Sequence, residues 1–216
     1  MLKKIILIVL LTCARIYAME PDEPQWLVKI KLQNQLAEAI NTGNTMYLQS
    51  FFKEGGNPNG MVRPDITLLQ SAILVNNNTI VKFLLANNAN PNQANHFNKH
   101  TPLIFAVNVG NPEIIQSLLI YKADPNLQDK EGNTPLHHAT KLYFAPWKNY
   151  GLEIIKLLLE ANARVDIKNN KNETPIGLAA EKDPALFTLF NEAVKKRHIQ
   201  YMKDKAQKMH TQSNQE

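Results

Sequence analysis

Four threonines set the rhythm of this chain. Thr67, Thr101, Thr134 and Thr174 follow one another at steps of 34, 33 and 40 residues. A small residue five places later, Ala72, Ala106, Ala139 and Ala179, keeps the same steps, and Ala39 precedes that series by 33. A third landmark recurs as Asn57-Pro58-Asn59, Asn90-Pro91-Asn92, Asp124-Pro125-Asn126 and Arg164-Val165-Asp166. A period of this length marks small units that cannot bury an apolar face alone and must stack on copies of themselves.

The clearest copy runs from Asp129 to Asp166. Gly132 supplies the positive φ that a tight turn needs. Thr134 predicts an N-cap, with Pro135 at the first helical position, where its missing N–H costs nothing. Leu136 and Ala139 lie on one face of that helix. Ile154, Ile155, Leu158 and Leu159 give a second helix its apolar side, and Asn162 falls where a left-handed C-cap belongs. The unit is a turn and two helices with one apolar seam.

These residues resemble the ankyrin repeat family. Thr134-Pro135-Leu136-His137-His138-Ala139 carries the full T-P-L-H-x-A signature, and Thr101-Pro102-Leu103-Ile104-Phe105-Ala106 lacks only the histidine. Thr67-Leu68-Leu69-Gln70-Ser71-Ala72 and Thr174-Pro175-Ile176-Gly177-Leu178-Ala179 are looser copies. The family's leucine pair stands as Leu84-Leu85, Leu118-Leu119 and Leu158-Leu159, with Phe51-Phe52 in the first copy. Its following glycine survives only as Gly55; Asn88 and Asn162 replace it, and Lys122 stands there under mild strain. The resemblance covers residues 34 to 194. It implies an all-α solenoid of stacked helix-turn-helix units with hairpin-like turns, in five units: 34–59, 60–92, 93–126, 127–166 and 167–194.

Irregular steps locate the departures. The step of 40 places seven extra residues between Leu142 and Gly151, in a stretch holding Tyr143, Phe144, Trp147 and Tyr150. The step of 34 places one extra residue between Asn92 and Thr101, in the turn carrying His96, Phe97 and His100. In the last unit Asp183-Pro184 starts the second helix, which is expected to run on towards Lys208. Residues 195–216 then form a basic helical extension and a disordered tail, with Thr211 to Glu216 the disordered part.

The start of the chain reads differently. Lys3 and Lys4, an apolar run from Ile5 to Leu11 and Ala18 as a cleavage point have the layout of a signal peptide over residues 1–18, followed by a linker over 19–25. Export to the periplasm or the medium is the expectation, with no transmembrane span in the mature chain. A lipid anchor on Cys13 is the lesser alternative, and a retained anchor or buried helix is another. Cys13 is the only cysteine, so no cysteine-based metal pattern or thiol nucleophile lies outside this leader. Residues 19–194 hold 15 basic and 17 acidic side chains. The basic balance of the whole chain comes from its two ends, and no nucleic-acid partner is expected.

Motifs for chemistry are sparse. No Gly-rich phosphate loop, G-x-S-x-G elbow or kinase signature occurs. An enzyme is not expected, and hydrolase or transferase activity stays a remote alternative. No cofactor is expected. His96 and His100 sit four apart in a turn rather than a helix, and no carboxylate or third ligand has suitable spacing, so no metal is expected. The resemblance gives His137 a structural role beside the Thr134 turn and points His138 towards the concave side. It implies a protein-binding scaffold, acting as a monomer through Phe105, Asn108, His138 and Lys141 on first helices and Phe97 and Lys130 at turn tips. Tyr143, Phe144, Trp147 and Tyr150 join this set, since aromatics dominate binding hot spots; packing over a neighbouring repeat is the equal alternative. The leader adds the expectation of a bacterial exported ankyrin protein, acting on host proteins or, alternatively, on a periplasmic partner.

Overall fold

The computed structural model describes residues 24–213 except 64, 146 and 147, with the side chains of 148, 149 and 208–213 also outside the description. The leader and Trp147 therefore lie outside the described residues. The chain divides into two compact units, residues 1–90 and 91–216.

In the first unit, α1 (Gln25–Thr42) ends on Gly43 in the left-handed conformation, and Asn44 caps α2 (Thr45–Lys53) by accepting from the Tyr47 amide. Two short antiparallel strands, β1 (Met61–Arg63) and β2 (Ile66–Thr67), form the turn, pairing Met61 with Thr67 and Arg63 with Ile66. Thr67 then caps α3 (Leu68–Leu74) in a reciprocal box. Its hydroxyl accepts from the Gln70 amide while the Gln70 side chain accepts from the Thr67 amide. Asn77 caps α4 (Asn78–Ala86) and also donates to the Ile40 carbonyl at 3.3 Å. Leu36, Ile40, Leu48, Leu69, Ile73, Ile80 and Leu84 fill the core. Full burial of each such aliphatic side chain contributes about 1.5–3 kcal/mol relative to exposure.

The second unit repeats the pattern. Thr101 caps α5 (Pro102–Val109), and Asn111 caps α6 (Pro112–Ile120). Thr134 caps α7 (Pro135–Tyr143), which is followed by α8 (Lys148–Glu160). Thr174 caps α9 (Pro175–Lys182), and Asp183 accepts from the Leu186 amide at the start of α10 (Pro184–Ser213). Pro102, Pro135 and Pro175 each open a helix, as the threonine–proline pairs predict. The small landmark residues Ala106, Ala139 and Ala179 are fully buried, which lets neighbouring helices approach closely. Left-handed backbone occurs at Asn88, Lys122, Asn162 and Gly55, the four positions expected after the second helices.

The Asn-Pro-Asn landmark has a job beyond turning the chain. The Asn59 side chain accepts from the Asn90 amide at 2.6 Å, Asn92 from Asp124 at 2.7 Å, and Asn126 from Arg164 at 2.7 Å. Each copy thus fastens the end of the next one by a side-chain-to-backbone bond. The first and third copies keep this bond although seven residues separate them in step length.

One expectation needs correction here. α10 continues to Ser213, beyond Lys208 and into the segment expected to be disordered, because nothing in its sequence after Pro184 breaks a helix. The aromatic insertion lies partly in a helix. α8 begins four residues before the point aligned with Pro112 of α6, so part of the insertion extends the helix. Gly151 makes that extension possible: a Cβ there would lie 2.5 Å from the Tyr143 Cα, where α7 and α8 meet.

Candidate partner-binding face and histidine–aspartate cluster

Two turns of the second unit carry Phe97 and Lys130 at their tips, and the first helices that follow carry Phe105, Asn108, His138 and Lys141. In the turn preceding α7, the Asp129 amide donates to the Asn133 carbonyl, and Asp129 Oδ1 accepts from the Glu131 and Asn133 amides, each at 2.9 Å. Asn169 repeats this arrangement, accepting from Lys171 and Glu173. Asn95 accepts from the His100 amide at 2.8 Å, and the residue added in the step of 34 is accommodated between them. Backbone bonds link the tips: Lys130 donates to the Asn98 carbonyl and Asn170 to the Glu131 carbonyl, both at 2.9 Å. Gly132 sits in this row at φ +77°, and a Cβ there would lie 2.9 Å from the Asn170 amide nitrogen.

His137 is buried and structural. Its Nδ1 accepts from the Thr134 amide at 3.0 Å, and Nε2–H donates to the Glu173 carbonyl at 3.1 Å, joining one repeat to the next. Burial holds this imidazole below its usual pKa, which favours the neutral form these two bonds require. The family resemblance supplies the role, and the Glu173 contact adds a link to the following turn.

His138 belongs to a cluster that spacing along the chain does not show. Its Nε2–H donates to Asp129 Oδ2 at 2.8 Å, and His100 Nε2 lies 3.7 Å from the same oxygen. One ligand-type atom from each of the three residues lies within 4.8 Å of the other two. Spacing along the chain offers His100 no carboxylate or third ligand; the fold brings both beside it. His100 closes one turn, Asp129 opens the next, and His138 stands on the first coil of α7; the stacking of repeats brings them together. Burial and the neighbouring His138 charge lower the His100 pKa. Burial alone would raise that of Asp129, but hydrogen bonds from His138 and the Asn133 and Glu131 amides outweigh it and leave the carboxyl below its ordinary value.

The other contact candidates fall into two groups. Phe97 is 75% exposed at its turn tip, and Asn108, Lys130 and Lys141 are exposed as well. Lys141 donates to Asn133 Oδ1 at 3.3 Å. Tyr150 is 54% exposed on α8. Phe105 is half-buried with its ring edge-on to His100 at 5.6 Å, so it is not the exposed groove aromatic that the register suggests. Tyr143 departs further. It is only 6% exposed, and its hydroxyl donates to Asp183 Oδ2 at 2.8 Å, tying α7 to the start of α10. Phe144 is half-buried, packs edge-on against Tyr143 and lies beneath the Lys182 ammonium, 5.2 Å from its ring centre.

Comparison with known proteins agrees with this architecture. A family model described as ankyrin repeats (3 copies) matches residues 36–129, 68–145 and 103–198. The chain belongs to the ankyrin repeat family. It is 34% identical over 120 residues to alpha-latrocrustotoxin-Lt1a of Latrodectus tredecimguttatus, covering 55% of this chain and 8% of that protein. It is 30% identical over 131 residues to the fowlpox virus ankyrin repeat protein FPV014, covering 61% and 28% respectively. Neurogenic locus notch homolog protein 1 of Danio rerio is 30% identical over 112 residues, covering 52% and 4%. The chain thus spans a small part of each of these relatives. Stacked ankyrin repeats define a protein-interaction scaffold, and among the described residues no helix is long and apolar enough to cross a membrane.

Proposed function

We propose that the second unit binds a protein partner through its turn tips and the exposed side of its first helices. The observation that carries this reading is Phe97. A large apolar side chain 75% exposed gains more from a partner than from water, and the Lys130–Asn98 backbone bond holds its turn in place. Lys130, Asn108 and Lys141 supply a polar surround, and Tyr150 and Trp147 extend the candidate set along the insertion. A photo-crosslinker at position 97, compared with one at exposed Tyr201 on α10, tests the assignment. Partner adducts at 97, lost when Lys130→Glu is added, support it; equal capture from both positions overturns it.

The leader-like layout of Lys3, Lys4, Ile5 to Leu11 and Ala18 supports an exported chain whose partner lies outside the cytoplasm. A host-cell protein is the first reading and a periplasmic protein the alternative. Fractionation separates them: material confined to the periplasm removes the host-directed reading. The scaffold reading also predicts binding without turnover, so hydrolysis abolished by His138→Ala would contradict it.

A further inference from the structure

We propose that His100, Asp129 and His138 form a binding site for a divalent transition-metal ion of the zinc class. Zinc takes His nitrogen and carboxylate oxygen at about 2.0–2.2 Å, so tetrahedral ligands stand about 3.3 Å apart. Here the His138–Asp129 pair is 2.8 Å apart and the His100–Asp129 pair 3.7 Å, on either side of that separation. All three atoms lie within 4.8 Å of one another, so small ring rotations bring them into range.

The ligands are also held from behind. Asp129 Oδ1 is occupied by the Glu131 and Asn133 amides, which fixes the carboxylate and aims Oδ2 at both imidazoles. The Asp129 side chain is 2% exposed, while those of His100 and His138 are 19% and 17% exposed. An ion would therefore sit over a buried carboxylate and keep a coordination position open towards water, as three-ligand sites do. Binding through Nε2 moves each neutral imidazole proton to Nδ1. For His100 this requires the Asn98 side chain, whose Nδ2 now donates to Nδ1, to turn its oxygen inward. That turn is tolerable because the His100 amide, which donates to Asn98 Oδ1, also donates to Asn95 Oδ1 at 2.8 Å. The site would tie the Phe97-bearing turn to the next repeat. It stands whether or not that face binds protein.

The test is titration of the chelator-stripped full chain with Co²⁺ and then Zn²⁺, followed by visible absorption and calorimetry. The expected result is about one equivalent bound, with intense cobalt d–d bands of a four- or five-coordinate ion that zinc removes. His100→Ala and His138→Gln should each weaken binding at least about tenfold, given that even indirect ligand support is worth that much. His138→Gln keeps a side-chain donor for Asp129 and so guards against loss of fold, which circular dichroism checks. His96→Ala should bind as the parent does. Zinc should also raise the melting temperature of the parent and of His96→Ala, but not of the two ligand variants. Absence of cobalt bands, or affinity unchanged in folded His100→Ala and His138→Gln, overturns the proposal.

Discussion

The turn over residues 61–67 in the first unit and that over 129–133 in the second do the same job with different chemistry. Counting back five residues from each capping threonine reaches Val62 in one and Asp129 in the other. Asp129 gathers two backbone amides on its carboxylate and closes a tight side-chain-supported turn. Val62 has no acceptor to offer; it is buried, and the segment pairs as two short strands instead. The lesson is that the repeat specifies where a turn falls and how it enters the helix, while the residue opening the turn decides how its backbone is satisfied. The same register bears on the histidine–aspartate cluster. Relative to their own capping threonines, His100, Asp129 and His138 correspond to Ile66, Val62 and Ser71 around Thr67, none of which is a histidine or a carboxylate.

The largest test of this comparison is Asp129→Ala. Removing the acceptor of two amides and of His138 should cost about 3 kcal/mol in metal-free denaturant unfolding. Asp129→Asn should cost less than about 1.5 kcal/mol, since Asn169 closes its own turn with an amide oxygen. Equal losses in the two variants would show that the carboxylate's charge, not its acceptor geometry, supports the turn. Gly132→Ala comes next, at about 2 kcal/mol, because φ is +77° and the new methyl meets the Asn170 backbone. Hydrogen exchange should show the loss concentrated in the amides of residues 129–133 and 169–173.

Thr67→Ala and Thr134→Ala bring the two regions back together. Each removes a helix cap and should cost about 1 kcal/mol, with similar values from chemical denaturation despite the unlike turns before them. A clear difference would mean that the turn, rather than the cap, fixes the helix start. The smallest effect expected is a gain. Lys122 holds φ at 68°, and Lys122→Gly should raise stability by about 0.5–1 kcal/mol, read as a higher melting temperature.

Local chemistry made much of this fold readable in advance. The threonine–proline caps, the buried alanines and the left-handed positions each follow from residue type and spacing, so the repeat announces itself in a single copy. The candidate site was only partly readable. Exposure of Phe97, Asn108, Lys130 and Lys141 agrees with their register. For Tyr143 the sequence leaves contact and packing equally open, because aromatic content marks an insertion without saying which side of a helix faces inward; its burial and its bond to Asp183 favour packing. The His100–Asp129–His138 cluster does not show in spacing along the chain, because a solenoid sets the last residue of one turn beside the first of the next. Laying successive turns side by side would have revealed it. The series Asn44, Asn77 and Asn111 caps second helices at steps of 33 and 34, a fourth landmark of the repeat.

The asparagine staples at the unit ends have a consequence for how such a chain can change. Asn92 reaches Asp124 and Asn126 reaches Arg164 at the same 2.7 Å, although the second pair encloses the insertion. Length is therefore absorbed between the two helices of a repeat without altering the join that sets where the next repeat begins. The interval between α7 and α8 is a tolerant port in an otherwise metered chain, one at which new segments can be accepted while the period of the stack is kept.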